Sequence, residues 1–167
     1  LVAVEPRFGS WMTQYGYANY LTTDKLLEMG TVQSDGHIQV AEKKYGTLVV
    51  MFEPLPEKGL LDMMERFVKA GGKVVWFSTP PLIDKSGENC TRQWQKLFGA
   101  QYNHDCYMGE IASGKMIDFS GSLSDVPDQS ILTDFIVDRI YPVTPVSNAE
   151  IIAYSDKKVV GTMLKYP

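Results

Sequence analysis

The segment from residue 46 to residue 77 constrains the fold of this chain more than any other. It opens with an uncharged apolar run, 46–52, and closes with a second strand-like run, 73–77. Between them, over residues 60–68, apolar side chains fall at i, i+1, i+3, i+4, i+7 and i+8, which predicts a helix with one broad apolar face. A Gly-Gly pair ends that helix. The order strand, helix, strand predicts a βαβ unit whose parallel strands are buried on both faces.

The residues before this unit predict smaller elements. Val2–Val4 is a short apolar run that is interpreted as a buried parallel strand. A short helix is predicted at residues 25–29, with Gly30 after its end in the left-handed conformation. The sequence Ser34-Asp35-Gly36 has the turn chemistry of a hairpin between residues 31–32 and 37–40.

The residues after the unit change character. Thr91 is predicted to cap a helix that carries Trp94, Leu97 and Phe98 inward and ends at Gly99. Beyond Ala100 the chain alternates strand-like runs with turn clusters. The strands are predicted at residues 116–119, 135–143, 149–155 and 159–164. The apolar residues of the segment 131–140 also satisfy a helical period, so a helix is the alternative there. No linker divides the chain, so a single domain over residues 1–167 is expected, with a βα front and a β-rich tail.

Carboxylates follow two of the predicted parallel strands at the point where each strand ends. Glu5-Pro6 follows the first strand and Glu53-Pro54 follows the strand at 46–52, while Ser78 and Thr79 end the strand at 73–77. Ligands of open α/β sheets bind at the carboxyl ends of the strands. Glu5, Glu53, Ser78 and Thr79 are therefore the candidate ligand rim, and the alternative is that each Glu only caps loop amides beside a turn-forming proline.

Other catalytic patterns are not supported by the sequence. A nucleophile elbow needs Gly-x-Ser-x-Gly or its cysteine equivalent, and neither occurs. His104 and Cys106 are too few to predict a zinc site, and an incidental thiol is favoured over a Cys-His pair. Cys90 and Cys106 permit one disulfide without requiring it. No catalytic residue, metal or cofactor is predicted.

Charge and hydropathy exclude two classes of partner. Sixteen Lys+Arg against twenty Asp+Glu, a net charge of -4, give no basic footprint for nucleic acid. No apolar run approaches the roughly 20 residues that cross a bilayer, so a soluble protein without a membrane partner is expected. The compartment stays open between the bacterial cytoplasm, the periplasm and the exterior.

Residues 17–81 resemble the class I glutamine-amidotransferase-like domain of large glycoside hydrolases, known as the β-galactosidase trimerisation domain of family 42. The resemblance rests on the order of five motifs, which stand here at Tyr20–Leu27, Asp35-Gly36, Tyr45–Val50, Leu55-Pro56 and Phe67–Val75. Residues 149–154 look like the late strand of that family. The short stretch Phe8–Gly16 departs from the family, which has a full helix there.

The resemblance implies a flavodoxin-like, three-layer α/β/α fold with a mostly parallel sheet. It also implies a non-catalytic accessory domain, with oligomerisation or interdomain contacts, in a carbohydrate-active hydrolase. The expected partners are a catalytic domain of the same polypeptide, further copies of this chain and a carbohydrate. Because the chain starts and stops at strand-like runs, it is interpreted as a fragment of a longer multidomain protein. The alternative is a free-standing small hydrolase that acts on a sugar or amide through the carboxylates of the rim.

Overall fold

The computed structural model describes residues 19–104, 109–132, 139–146 and 148–167. The predicted strand Val2–Val4, the residue Glu5 and the stretch Phe8–Gly16 lie outside the described residues. The chain forms two compact units, each with most of its residue contacts within itself. The first runs to Phe52 and includes Pro56–Phe77, and the second consists of Glu53–Leu55 and Ser78–Pro167. The single domain expected over residues 1–167 stays a prediction.

The described part of the first unit contains two helices and five strands. The elements are α1 (Thr23–Met29), β1 (Gly30–Val32), β2 (Ile38–Val40), β3 (Lys43–Tyr45), β4 (Thr47–Met51), α2 (Leu60–Lys69) and β5 (Lys73–Phe77). A small antiparallel sheet has the order β1-β2-β3, and β4 pairs with β5 in a separate parallel sheet.

The predicted βαβ unit is confirmed. Strands β4 and β5 run parallel, with pairs from Thr47 opposite Lys73 to Met51 opposite Phe77. Helix α2 contacts β5, β1 and α1, and its apolar stripe forms the centre of the unit. The buried side chains of this stripe are Leu60, Leu61, Met63, Met64 and Phe67.

The two faces of the parallel pair differ in burial among the described residues, whereas the sequence predicts burial on both faces. Val50 is buried, and its partner Trp76 is half-buried on the same face. On the other face Val75 and Phe77 are 37% and 63% exposed. The prediction was wrong because an uncharged apolar run indicates burial without indicating what covers each face.

The hairpin predicted at Ser34-Asp35-Gly36 is confirmed, and the sheet gains a third strand that was not predicted. Thr31 lies opposite Gln39 in β1 and β2, and β3 adds to the far side of β2. The left-handed conformation predicted for Gly30 was wrong, since its φ is -85°. The chain passes directly from α1 into β1 and needs an extended residue at this point.

The turn after α2 depends on a glycine. The Gly72 N–H donates to the Phe67 carbonyl over 2.9 Å, which brings the backbone of residue 72 against the Phe67 ring. A Cβ at Gly72 would lie 2.0 Å from Phe67 Cε2, and Phe67 is fully buried. The Gly-Gly pair therefore ends the helix and also makes room for its central aromatic ring.

The described part of the second unit contains one α-helix, a 3-10 helix and short antiparallel strands. The elements are α3 (Thr91–Phe98), β6 (Ala100–Gln101), β7 (Glu110–Ile111), β8 (Met116–Phe119), the 3-10 helix (Gly121–Leu123), β9 (Gln129–Ser130), β10 (Arg139–Ile140), β11 (Thr144–Pro145), β12 (Glu150–Ser155) and β13 (Lys158–Met163). The largest sheet of this unit has the order β13-β12-β8-β9. Two further sheets have two strands each, in which β10 pairs with β7 and β11 pairs with β6.

Helix α3 forms where the sequence predicts it, but Thr91 is its first helical residue and not its N-cap. Cys90 occupies the N-cap position, and the Asn89 side chain accepts a hydrogen bond from the Thr91 N–H over 3.2 Å. The Thr91 hydroxyl instead reaches back to the Pro81 carbonyl. At the other end Gly99 is left-handed, with a φ of 65°, as predicted.

Charged side chains connect the strands of the second unit. Lys115 forms ion pairs with Glu110 and Asp156, and Lys158 also pairs with Glu110. These ion pairs raise the pKa of Lys115, with Asp156 as the larger cause. The network ties β7 to the β12–β13 hairpin.

A carboxylate also anchors the 3-10 helix to β12. Glu150 Oε1 accepts hydrogen bonds from the Ser122 N–H over 2.5 Å and from the Ser122 hydroxyl over 2.6 Å. These two bonds hold the pKa of Glu150 below its ordinary value. The close approach needs Gly121, because a Cβ there would lie 2.4 Å from Glu150 Oε1.

The flavodoxin-like, three-layer fold with a mostly parallel sheet was wrong for the described residues. The parallel sheet has two strands, and the other four described sheets are antiparallel. The βαβ motif identifies a parallel pair locally, but it does not determine how many further strands join that pair. Of the strand predicted at residues 135–143, the structure describes residues 139–143, and only Arg139–Ile140 form a strand there.

No helix in the described ranges combines the length and apolar character that crossing a bilayer requires.

Replacing Gly72 with Ala is expected to lower the free energy of unfolding by about 1–3 kcal/mol, since the added methyl group overpacks the core beside Phe67. Chemical denaturation of the full chain measures the change. Gly46→Ala is the matched control, because a Cβ there meets His37 at an ordinary 3.7 Å. Equal stability of the two variants would contradict the close packing of Gly72 on Phe67.

Glu150 is expected to make stability fall in acid. Its lowered pKa stabilises the fold above the ordinary value of 4.5, and this contribution is lost as the pH falls through the folded-state pKa. Denaturation of the wild type should therefore lose more stability between about pH 5 and pH 3 than that of Glu150→Gln. Glu42→Gln, at an exposed turn residue, is the control and should follow the wild type.

Candidate functional site

The candidate rim begins where β4 and β5 end. Phe52 follows β4 in the left-handed conformation, with a φ of 54°. Its N–H donates to the Phe77 carbonyl over 3.2 Å and so extends the strand pairing by one residue. A left-handed backbone is uncommon for a bulky residue, which marks this point as the place where the chain leaves the ladder.

Glu53 and Ser78 meet directly after this point. The Glu53 N–H donates to Ser78 Oγ over 2.7 Å, and the Glu53 residue is only 9% exposed. The serine hydroxyl thus accepts the hydrogen bond of a backbone N–H that lies just beyond the last backbone pair of the two strands. It joins the two chain segments where the backbone pairing stops.

The structure brings together two of the four predicted rim residues. Glu53 and Ser78 are in contact, and Thr79 is the next residue along the chain and is half-buried. Glu5 lies outside the described residues. A ligand at this rim stays a prediction, while the contact between Glu53 and Ser78 has a structural role by itself.

His104, which the sequence analysis weighed as the partner of Cys106, packs in an aromatic group. The His104 and Tyr102 rings meet edge to face, with centroids 4.7 Å apart, and Tyr102 meets Tyr141 in the same way at 5.8 Å. Burial raises the pKa of Tyr102, Tyr141 adds to the increase, and the Gly109 N–H opposes it. Cys106, the thiol considered beside His104, lies outside the described residues.

Cys90 is a buried free thiol. Burial raises its pKa, and the nearby Asp84 carboxylate adds to the increase. A raised pKa disfavours the thiolate, which is the nucleophilic and metal-binding form. Cys90 therefore fits a packing residue at the start of α3 better than a reactive thiol.

Metal-binding side chains do not converge in the described ranges. No group of three or more His, Cys, Asp and Glu residues there has the arrangement to hold a metal ion.

One candidate surface was not predicted, namely the uncovered side of the parallel pair. It is formed by Val49, Met51, Val75 and Phe77, and we call these four residues the open face. Val49 lies beside Val75 and Met51 beside Phe77. Phe52, which is 58% exposed, adjoins the open face at the end of β4. Val75 and Phe77 are exposed, and Val49 and Met51 are half-buried. Because proteins cover sheets of this type on both faces, the open face is a candidate contact surface.

Comparison with protein-family models, with curated proteins and with solved structures finds no match to this chain.

Removing the Ser78 hydroxyl is expected to lower the free energy of unfolding by about 1–2 kcal/mol, because Ser78→Ala leaves the part-buried Glu53 N–H without its acceptor. Ser78→Thr retains an acceptor and should recover most of the loss. Thermal or urea denaturation measures both variants.

Ser124→Ala removes a hydroxyl from an exposed position and is the matched control. If Ser78→Ala were as stable as this control, the hydroxyl would have no part in joining the ends of β4 and β5.

Proposed function

We propose that this chain is a non-catalytic accessory module that associates with a second copy of itself through the open face. The observation that carries the proposal is the exposure of Val75 and Phe77 on a parallel strand pair. Parallel sheets are covered on both faces in proteins, so burying this surface against another apolar surface is expected to be favourable.

A second copy of the chain suits this surface because all four residues of the open face are apolar, and Lys73, which shares their side of β5, lies at the opposite end of the strand from Phe77. In a two-fold contact each residue lies near its own counterpart or that of a neighbour on the same patch. Val49, Met51, Val75 and Phe77 would then meet the same four apolar side chains. Two sheet faces pack about 10 Å apart with their side chains interdigitated.

The carbohydrate setting rests on the sequence resemblance. The order of motifs between residues 17 and 81 is similar to that of an oligomerisation domain in large glycoside hydrolases. Sugar cleavage would then belong to a catalytic domain of the same polypeptide. The role found for Ser78 supports a non-catalytic module, because its hydroxyl is engaged by the Glu53 N–H at the strand ends.

Phe77→Asp tests the association. Because it places a carboxylate within an apolar contact, it is expected to raise the dissociation constant of the oligomer by about 100-fold or more. Sedimentation equilibrium over a range of protein concentrations measures the constant. The wild type should associate, and the variant should sediment as a monomer at the same concentrations.

Leu132→Asp is the matched control, since it makes the same substitution at a residue that is 90% exposed in the second unit. It should associate as the wild type does. A monomeric wild type at all concentrations, or equal effects of the two variants, would overturn the proposal. Circular dichroism of each variant establishes that the fold is retained.

A further inference from the structure

A groove that is open to solvent and lined by both polar and apolar side chains runs along the exposed side of α3 in the second unit. It consists of two adjoining cavities of about 460 Å³ and 450 Å³, which share the side chains of Arg92 and Gln95. The larger cavity also reaches residues at the ends of β11 and β13, among them Asn148 and Tyr166. Volumes of a few hundred Å³ are typical of sites that bind small molecules. We call these two cavities the α3 groove.

The charge of the α3 groove is opposite to that of the chain. Arg92 and Lys96 line the larger cavity, and no carboxylate lines either cavity among the described residues. The chain as a whole carries twenty Asp+Glu against sixteen Lys+Arg. Arg92 and Lys96 are four residues apart on one helix, so their side chains share a face. An arginine can hold a carboxylate through two parallel hydrogen bonds.

Amide side chains supply the rest of the polar lining. Gln95, Gln101 and Asn148 border the larger cavity, and Asn89 and Asn103 border the smaller one. Each amide carries a donor and an acceptor side by side, which matches a pair of neighbouring hydroxyl groups. Gln95 is held in place because its Nε2 donates to the Tyr102 carbonyl over 3.2 Å.

An aromatic ring completes the groove. Tyr166 lines the larger cavity and is half-buried, and its hydroxyl donates to the Leu97 carbonyl over 3.1 Å near the end of α3. This hydrogen bond fixes the phenol ring beside Lys96 and the groove amides. A fixed aromatic ring offers an apolar surface to a ligand whose edges are polar.

We propose that the α3 groove binds a sugar that bears a carboxylate, that is, a uronic acid unit of a carbohydrate. Arg92 and Lys96 receive the carboxylate, the amides receive the ring hydroxyls, and Tyr166 supports the apolar face of the ring. The proposal rests on the proposed function for its carbohydrate setting, and it gives the accessory module a class of ligand.

Titration of the full chain with galacturonic acid, followed by NMR shifts of the backbone amides, tests the proposal. Amides of α3 and of residues 164–166 are expected to shift. Galactose, which lacks the carboxylate, should bind at least 10-fold more weakly. Arg92→Gln and Lys96→Gln should each weaken binding of galacturonic acid by about 10-fold to 100-fold. Lys43→Gln, which removes the same charge from an exposed residue of β3, is the control and should bind as the wild type does.

Three results would overturn the assignment. Equal binding of galacturonic acid and galactose, or no shifts in α3, would exclude recognition of a uronic acid in this groove. Tighter binding of galactose 6-phosphate than of galacturonic acid would assign the groove to phosphorylated sugars instead. The same titration on Phe77→Asp separates the two proposals, because a monosaccharide can occupy the groove whether or not the chain associates.

Discussion

The one-sided burial of β4 and β5 is the constraint from which the functional account follows. A parallel pair cannot form a simple hairpin, so the chain must cross over, and α2 is the crossover that covers one face. Its apolar stripe, with Phe67 at the centre and Gly72 against the ring, stabilises that face. The opposite face retains exposed Val75 and Phe77. The same βαβ unit thus provides both the core of the first unit and its contact surface.

The second unit is stabilised in a different way. Its strands are short and antiparallel, and its β7, β8 and β12 segments are linked by hydrogen-bonded and charged side chains such as Glu150 and Lys115. Helix α3 buries Trp94 and Leu97 on one side. Its other side carries Arg92 and Lys96 and borders the α3 groove. A helix with one apolar and one cationic side therefore serves both packing and ligand binding.

Sequence reasoning predicted local structure better than the arrangement of sheets. Helix α2, the parallel pairing of β4 with β5 and the turn at Gly36 followed from periodicity, from the order of elements and from turn chemistry. The flavodoxin-like sheet was wrong because pairing between distant strands leaves no mark in a short segment. The open face was missed for a related reason, since an apolar run looks the same whether one face or both are covered. The sequence placed Glu53 and Ser78 together because each follows the end of a parallel strand. Only the structure shows that the Ser78 hydroxyl accepts a hydrogen bond from the Glu53 N–H.

Hydroxyl-radical footprinting at several protein concentrations tests the central claim most directly, because it reports the solvent exposure of individual side chains. The account predicts that oxidation of Met51 and Phe77 falls as the concentration rises, while oxidation of Met116, an exposed residue of the second unit, does not change. Oxidation of Met51 and Phe77 at the same rate at every concentration would contradict self-association through the open face.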